Sequence, residues 1–246
     1  MDAIGTARVA IGTRFFAADP QKAKVIEDFA RMSRECGADI VLVAVNSEED
    51  RADTINNPKI KGKGIEAFPV KPWGKFVQPL NALVLRAKSL GINYFLLASA
   101  EMAFTREQIQ NLFSHMGEET LVVGGALEGH DLKTGKVAGN GRTVPWNTMA
   151  LWNLGYLART GFALIGDNPS DPENAGVEEL ATIAVLQRLY SVEAKLVAVP
   201  GIKWKTDDFD PERREKHEKK MRSKIERPQK QMEILNIPAP TIIHIP

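Results

Sequence analysis

Apolar residues along this chain follow two spacings. Short, mostly apolar runs occur at residues 8–14 (RVAIGTR), 40–45 (IVLVAV), 94–98 (YFLLA), 121–125 (LVVGG) and 195–199 (KLVAV), and runs of that length predict strands covered on both faces of a sheet. Between them apolar positions recur every three or four residues, the period of a helix with one buried face. Val25, Ile26, Phe29 and Met32 predict a first helix, begun at Asp19-Pro20 with aspartate as cap and proline in the first helical position. Val77, Leu80, Val84 and Leu85 predict a second, running from Phe76 to a stop at Gly91. A third spans 105–115 under a Thr105 cap; Glu107 stands two positions on, one short of a capping box. A short helix is expected over 148–159, with Met149, Leu151, Trp152 and Leu154 turned inward. Leu180, Ile183, Ala184 and Leu186 mark the strongest late helix, 178–190.

The opening strand, helix and strand make a βαβ unit with a right-handed crossover. Residues 47–74 are polar, then rich in Lys, Gly and Pro, and predict irregular chain. The exception is a short edge strand at 67–70, because Pro69 is poorly tolerated in a central one. Residues 131–141 are turn-rich. From Lys203 the character changes: 211–224 is almost wholly charged, with Met221 and Ile225 among its few apolar neighbours. Lys219, Lys220, Lys224 and Arg227 are interleaved there with Glu215, Glu218 and Glu226. This stretch reads first as a solvated helix held by i,i+4 pairs; a partner or oligomer contact and a phosphate-binding arm are the other readings. The apolar 241–245 is expected to fold back onto the body. The whole predicts one α/β domain over 1–202, a single mainly parallel mixed sheet flanked by helices, with a charged helical extension over 203–246 packed back on it.

Composition acts mostly by exclusion. A chain of 246 residues, 43% hydrophobic and 26% charged, can bury a core that needs no staples. A net charge of +1 gives no global pull towards nucleic acid or anionic lipid. The apolar runs are too short to span a membrane, and no signal-peptide pattern opens the chain, so cytoplasmic residence is the default expectation. A single cysteine, Cys36, excludes an internal disulfide and reads as a small buried thiol closing a helix before Gly37. Homo-oligomerisation stays open.

No Gly-x-Gly-x-x-Gly follows the first strand, and neither a Walker loop nor Gly-x-Ser-x-Gly occurs. His115, His130, His217 and His244 lack metal spacing and read as structural or surface residues. What remains lies at strand ends, where open α/β sheets collect ligands. Thr13 and Arg14 emerge from the first strand, Asn46 closes the second, and Ser99-Ala100-Glu101 follows the run at 94–98. Glu178-Glu179 opens a helix after Asn174-Ala175-Gly176, with Asp167, Asn168 and Asp171 in the loop before. Carboxylates so placed can take a proton from an attacking hydroxyl or hold a divalent ion. Acids in a first helical turn are equally favoured by the exposed N–H groups there, with no chemistry implied.

Asn81 sits in Gln78-Pro79-Leu80-Asn81-Ala82; Leu96-Leu97-Ala98 runs into Ser99-Ala100-Glu101; Gly176-Val177-Glu178-Glu179-Leu180 leads to Gln187-Arg188-Leu189; and Val197-Ala198-Val199 ends at Pro200. In order and spacing, over about residues 8–200, these are similar to the nucleotide-diphospho-sugar transferases of the GT-A fold, most closely the family 2 glycosyltransferases. The resemblance matches Asn81 to the family's helical Asn, 99–101 to its Asp-x-Asp and Glu178-Glu179 to its acidic pair. It implies transfer of a sugar from a nucleotide-diphosphate donor to a hydroxyl acceptor. Glu179 would be the base, with Glu178 beside it. Thr13, Arg14, Asn46, Lys75, Asn81 and Ser99 would face the donor, Arg14 or Lys75 offsetting the diphosphate charge. It also implies Mn²⁺ or Mg²⁺. Both family aspartates are missing, so Glu101 is the one carboxylate left for a metal, and a metal-free site using Arg14 and lysines is the other expectation. Trp146 or Trp152 would offer a ring to a sugar face, Trp152 reading more simply as core. The alternative function is a non-catalytic relative that binds nucleotide, sugar or a protein partner.

Overall fold

The computed structural model describes residues 7–16, 22–59, 61–62, 64–168, 175–204 and 210–246; the expected helix start at Asp19-Pro20, and Asp171 and Asn174, lie outside them. In chain order the elements are β1 (Val9–Phe15), α1 (Lys22–Glu35), β2 (Ile40–Val45), α2 (Glu48–Asn56), β3 (Ile65–Pro69), α3 (Val77–Ser89), β4 (Tyr94–Ala98), β5 (Met102–Ala103), α4 (Arg106–Ser114), β6 (Thr120–Gly125), β7 (Gly135–Ala138), β8 (Met149–Asn153), α5 (Leu154–Leu157), a 3₁₀ turn (Leu164–Asp167), α6 (Glu178–Leu189), β9 (Glu193–Val197), β10 (Lys203–Trp204), α7 (Pro211–Arg222), α8 (Glu226–Leu235) and β11 (Thr241–Ile245). Nine strands share one sheet in the order β3-β2-β1-β4-β8-β6-β9-β11-β7, while β10 pairs with β5 in a small ribbon. β8 and β7 run against the other seven.

All five expected strands lie in this sheet, flanked by helices, and the apolar runs explain it. Residues 41–45 of β2 and 95–98 of β4 are buried without interruption, as strands covered on both faces must be. β3, carrying Pro69, sits at the edge.

Three expectations are corrected. The helix foreseen over 148–159 is strand β8 followed by the single turn α5. β8 lies between β4 and β6, so Met149, Ala150, Leu151 and Trp152 are all buried, and an apolar block of that length carries no period to separate strand from helix. The supposedly irregular stretch after Ser47 contains α2, which buries only Thr54 and so shows no apolar stripe. Ser47 caps it by accepting the Asp50 N–H at 3.0 Å. The incomplete capping box at α4 is complete: Gln108, not Glu107, is its third helical residue. Its N–H donates to Thr105 Oγ1 at 3.3 Å, and its side chain accepts the Thr105 N–H at 3.0 Å.

The parallel strands β1, β2 and β4 all end on the same edge, which brings Arg14, Asn46 and Ser99 to one side of the sheet. β8 starts there because it runs the other way, with Met149 opposite Ala98. Trp146 and Asn147, just before it, therefore belong to the same edge.

Candidate functional site

The start of α6 is built against its usual chemistry. Val177 precedes the helix in a left-handed conformation at φ 61°, a region that a β-branched residue rarely enters, and its own side chain makes no capping hydrogen bond. Gly166 explains the close seating: a Cβ there would run into the Cα and Cβ of Glu178. The result sinks the first two helical residues, Glu178 and Glu179, to 4% and 5% exposure. Ordinary first-turn acids lie in solvent. These do not.

Asn147 fixes the pair. Its backbone N–H donates to Glu179 Oε1 at 2.5 Å, and its side-chain amide donates to Glu178 Oε1 at 3.1 Å. Asn147 Oδ1 in turn accepts the Trp152 indole N–H at 2.9 Å, which sets the amide's orientation. Burial, and then the neighbouring Glu178, raise the Glu179 carboxyl to about 8. Lys224 lies in the field of both acids, and burial lowers its ammonium to about 7. That ammonium sits 3.0 Å from the centroid of the Trp146 ring, against which His130 is also stacked.

Arg14 reaches into the same region from the end of β1. It donates to the Lys75 carbonyl at 3.1 Å and lies 4.3 Å from the centroid of Phe76. Burial lowers its proton affinity, opposed by the charges of Glu178, Glu179, Asp167 and Glu101. Asp167, read from the sequence only as one acid in a crowded loop, caps α3 instead. Its carboxylate accepts the N–H groups of Lys75, Phe76 and Val77 at 3.2, 2.6 and 2.8 Å.

The remaining sequence candidates fall as follows. Asn46 lies at the end of β2 with its buried Oδ1 unpartnered among the described residues. Thr13 is buried at the end of β1. Asn81 has both amide atoms engaged by the Phe162 backbone, accepting its N–H at 2.6 Å and donating to its carbonyl at 3.0 Å. Ser99 donates to Glu101 across the turn after β4. Neither tryptophan offers a face to a sugar: Trp152 is fully buried and Trp146 is 2% exposed, a correction to the expectation above. His130 is held by backbone at both ring nitrogens, and burial pushes it down to about 3; His244 is buried between Lys133 N–H and the Thr143 carbonyl. Cys36 is raised by burial to about 11, the state of an inert thiol.

The residues at 99–101 do not fit a divalent ion. Glu101 brings one carboxylate, and among the described residues no three His, Cys, Asp or Glu side chains gather as a metal would require. Sequence reasoning missed Asn147 altogether and read Lys220, Lys224 and Arg227 first as part of a solvated face, with a partner contact and a phosphate-binding arm as the other readings. Met221, the lone apolar residue inside the charged run, was the one signal that this helix docks.

No family model matches the chain, and no curated protein matches it. Among solved structures it is similar to a mannosyltransferase from Pyrobaculum calidifontis in complex with GDP-mannose and Mn²⁺, at 13% identity and a TM-score of 0.51, over 80% of this chain and 56% of that one. It thus spans little more than half of that protein's length. S. aureus TarS follows at 10% identity and 0.47, over 70% of this chain and 32% of that one. A 4-diphosphocytidyl-2C-methyl-D-erythritol synthase from Anaerococcus prevotii has 11% identity and 0.47, over 78% and 88%. At such identities the first likeness shows the fold alone: a mixed, mostly parallel sheet flanked by helices, of the GT-A type.

Proposed function

We propose that this protein transfers a sugar from a nucleotide-diphosphate donor to a hydroxyl acceptor, with Glu179 as general base. Glu179 takes the proton of the acceptor hydroxyl, the oxygen attacks the anomeric carbon, and the bond from that carbon to the diphosphate breaks, its electron pair leaving with the phosphate oxygen. Glu178 and Asn147 position the base. Arg14 opposes the charge growing on the leaving group, and Asn46 Oδ1, unpartnered among the described residues, accepts a hydroxyl or ring N–H of the nucleoside. The observation that carries the reading is the buried, Asn147-held Glu179 at the sheet edge where Arg14 emerges.

Release of nucleoside diphosphate from a panel of UDP-, GDP- and CDP-sugars, with sugar and alcohol acceptors, tests it. Turnover should fall about 10²-fold or more in Glu179→Gln, with donor affinity little changed and a smaller loss in Glu178→Gln. Equal, small losses in both would leave the pair as helix-start acids. A second reading, binding without catalysis, is favoured by two features: Lys224 and His130 cover Trp146, and Glu179 is only 5% exposed. Under it, donor binds and is never consumed.

A further inference from the structure

The charged helix α7 does not stand wholly in solvent. Lys220 places its ammonium 5.2 Å from the centroid of Phe76, the ring that Arg14 approaches to 4.3 Å. Lys75, the neighbour of Phe76, contributes a third cation, and Lys75 and Lys220 are both exposed. Among the described residues no carboxylate oxygen comes within 4.0 Å of Arg14, Lys75 or Lys220. The proton affinity of Lys220 is lowered first by the protein packed around its ammonium and then by the charges of Arg14, Arg227 and Lys75, against a raising effect of Glu178.

The end of α7 is seated, so Lys220 is not a stray surface lysine. Gly141 lies against the Lys224 backbone so closely that a Cβ would overlap its carbonyl, and Met221 lies over Gly129. Arg227, 5% exposed, donates to the Ala175 carbonyl and, at 2.8 Å, to the Lys220 carbonyl. Gln231 donates to the Gly176 carbonyl at 2.9 Å. Made from α8, those contacts tie the end of α7, through the Lys220 carbonyl, to the loop that leads into Glu178.

We propose that Arg14, Lys75 and Lys220, gathered around Phe76, form a metal-independent seat for the diphosphate of the donor, with α7 supplying in cis part of the charge that Ser99-Ala100-Glu101 cannot recruit as a metal. This rests on the donor reading above. Like charges held together at the carboxyl edge of β1 are relieved by a multiply charged anion, and a diphosphate is long enough to meet more than one of them. Lys220 and Arg14 then act on binding and on the leaving group, whereas Glu179 acts on the acceptor.

Calorimetry of UDP, GDP and inorganic pyrophosphate on the full chain, in EDTA and in Mn²⁺, tests the seat. A nucleoside diphosphate should bind with an affinity that metal changes less than about threefold and that weakens as salt rises. Lys220→Gln and Arg14→Gln should each weaken UDP or GDP and pyrophosphate alike by about tenfold or more, while Lys219→Gln, on the same helix outside the cluster, leaves both unchanged. Far-ultraviolet circular dichroism and thermal melting establish that each variant is folded. Binding that appears only with Mn²⁺ overturns the seat and leaves the donor reading standing. Unchanged binding in Lys220→Gln, with a lowered melting temperature, also overturns it and makes the contact with Phe76 mere packing. No binding in either condition overturns both.

Discussion

Replacing Glu179 by Gln should make the protein more stable even as, on the proposed mechanism, turnover falls about 10²-fold or more, and the gain should depend on pH in one direction. In the folded chain the Glu179 carboxyl is raised from 4.5 to about 8, chiefly by burial and then by Glu178. A carboxyl whose folded value lies above its unfolded one favours folding fully only below the unfolded value. That contribution drains away as pH rises from about 4.5 and is gone above about 8. Each pKa unit is worth about 1.4 kcal/mol, so the ionised side chain burdens the fold by at most about 5 kcal/mol at alkaline pH. The Asn147 N–H and the Lys224 charge are already counted against this shift. A glutamine keeps the Asn147 hydrogen bond through its carbonyl and has no proton to lose. Urea unfolding at pH 5 and pH 9 should therefore give near-equal stabilities for wild type and variant at pH 5, and a gain of about 2 kcal/mol or more for the variant at pH 9. Parallel stabilities at the two pH values would refute the raised Glu179 carboxyl, and with it the poised base.

Three further outcomes follow from the same geometry. If Glu179 is the base, kcat/KM should climb about tenfold per pH unit below about 8 and level off above it; a flat profile from pH 6 to 9 would remove it from that role. Asp167→Ala strips α3 of three capping acceptor contacts and should cost about 2–3 kcal/mol in chemical unfolding, against a few tenths for Asp131→Ala on an exposed loop. Gly141→Ala should lever the Lys224 backbone off its seat, visible as faster proteolysis between residues 211 and 225 at an intact β-sheet signal; unchanged proteolysis would mean that this corner is not held by close approach.

The parts of the fold that local pattern dictates were legible in the sequence. β2 and β4 are apolar through their length because helices cover both faces, and α6 combines helical spacing with acids at its start. β8 was not legible, since Met149–Asn153 is apolar in a way that strand and buried helix share. α2 was hidden for the opposite reason, having almost nothing to bury. The same division runs through the candidate site. Glu178 and Glu179 could be found because a helix start at a sheet edge is a local feature. Asn147 is thirty-two positions from Glu179 and belongs to no motif, so only folding brings it there. Lys220 and Lys224 sit in a run whose charges nearly cancel when counted along the chain, and their separation from the acids of α7 appears only when the helix is docked.

β11 has a consequence for how the chain reaches this state. It is an interior strand, pairing Ile242 with Ala194 on one side and with Val137 on the other, and among the described residues β7 has no other sheet neighbour. Until residue 245 has emerged from the ribosome, β9 presents an open edge and β7 has nothing to join. Closure of that half of the sheet waits on a contact between distant parts of the chain, which places it late in folding. During that interval the bare edge of β9 is the surface on which a second nascent copy would pair.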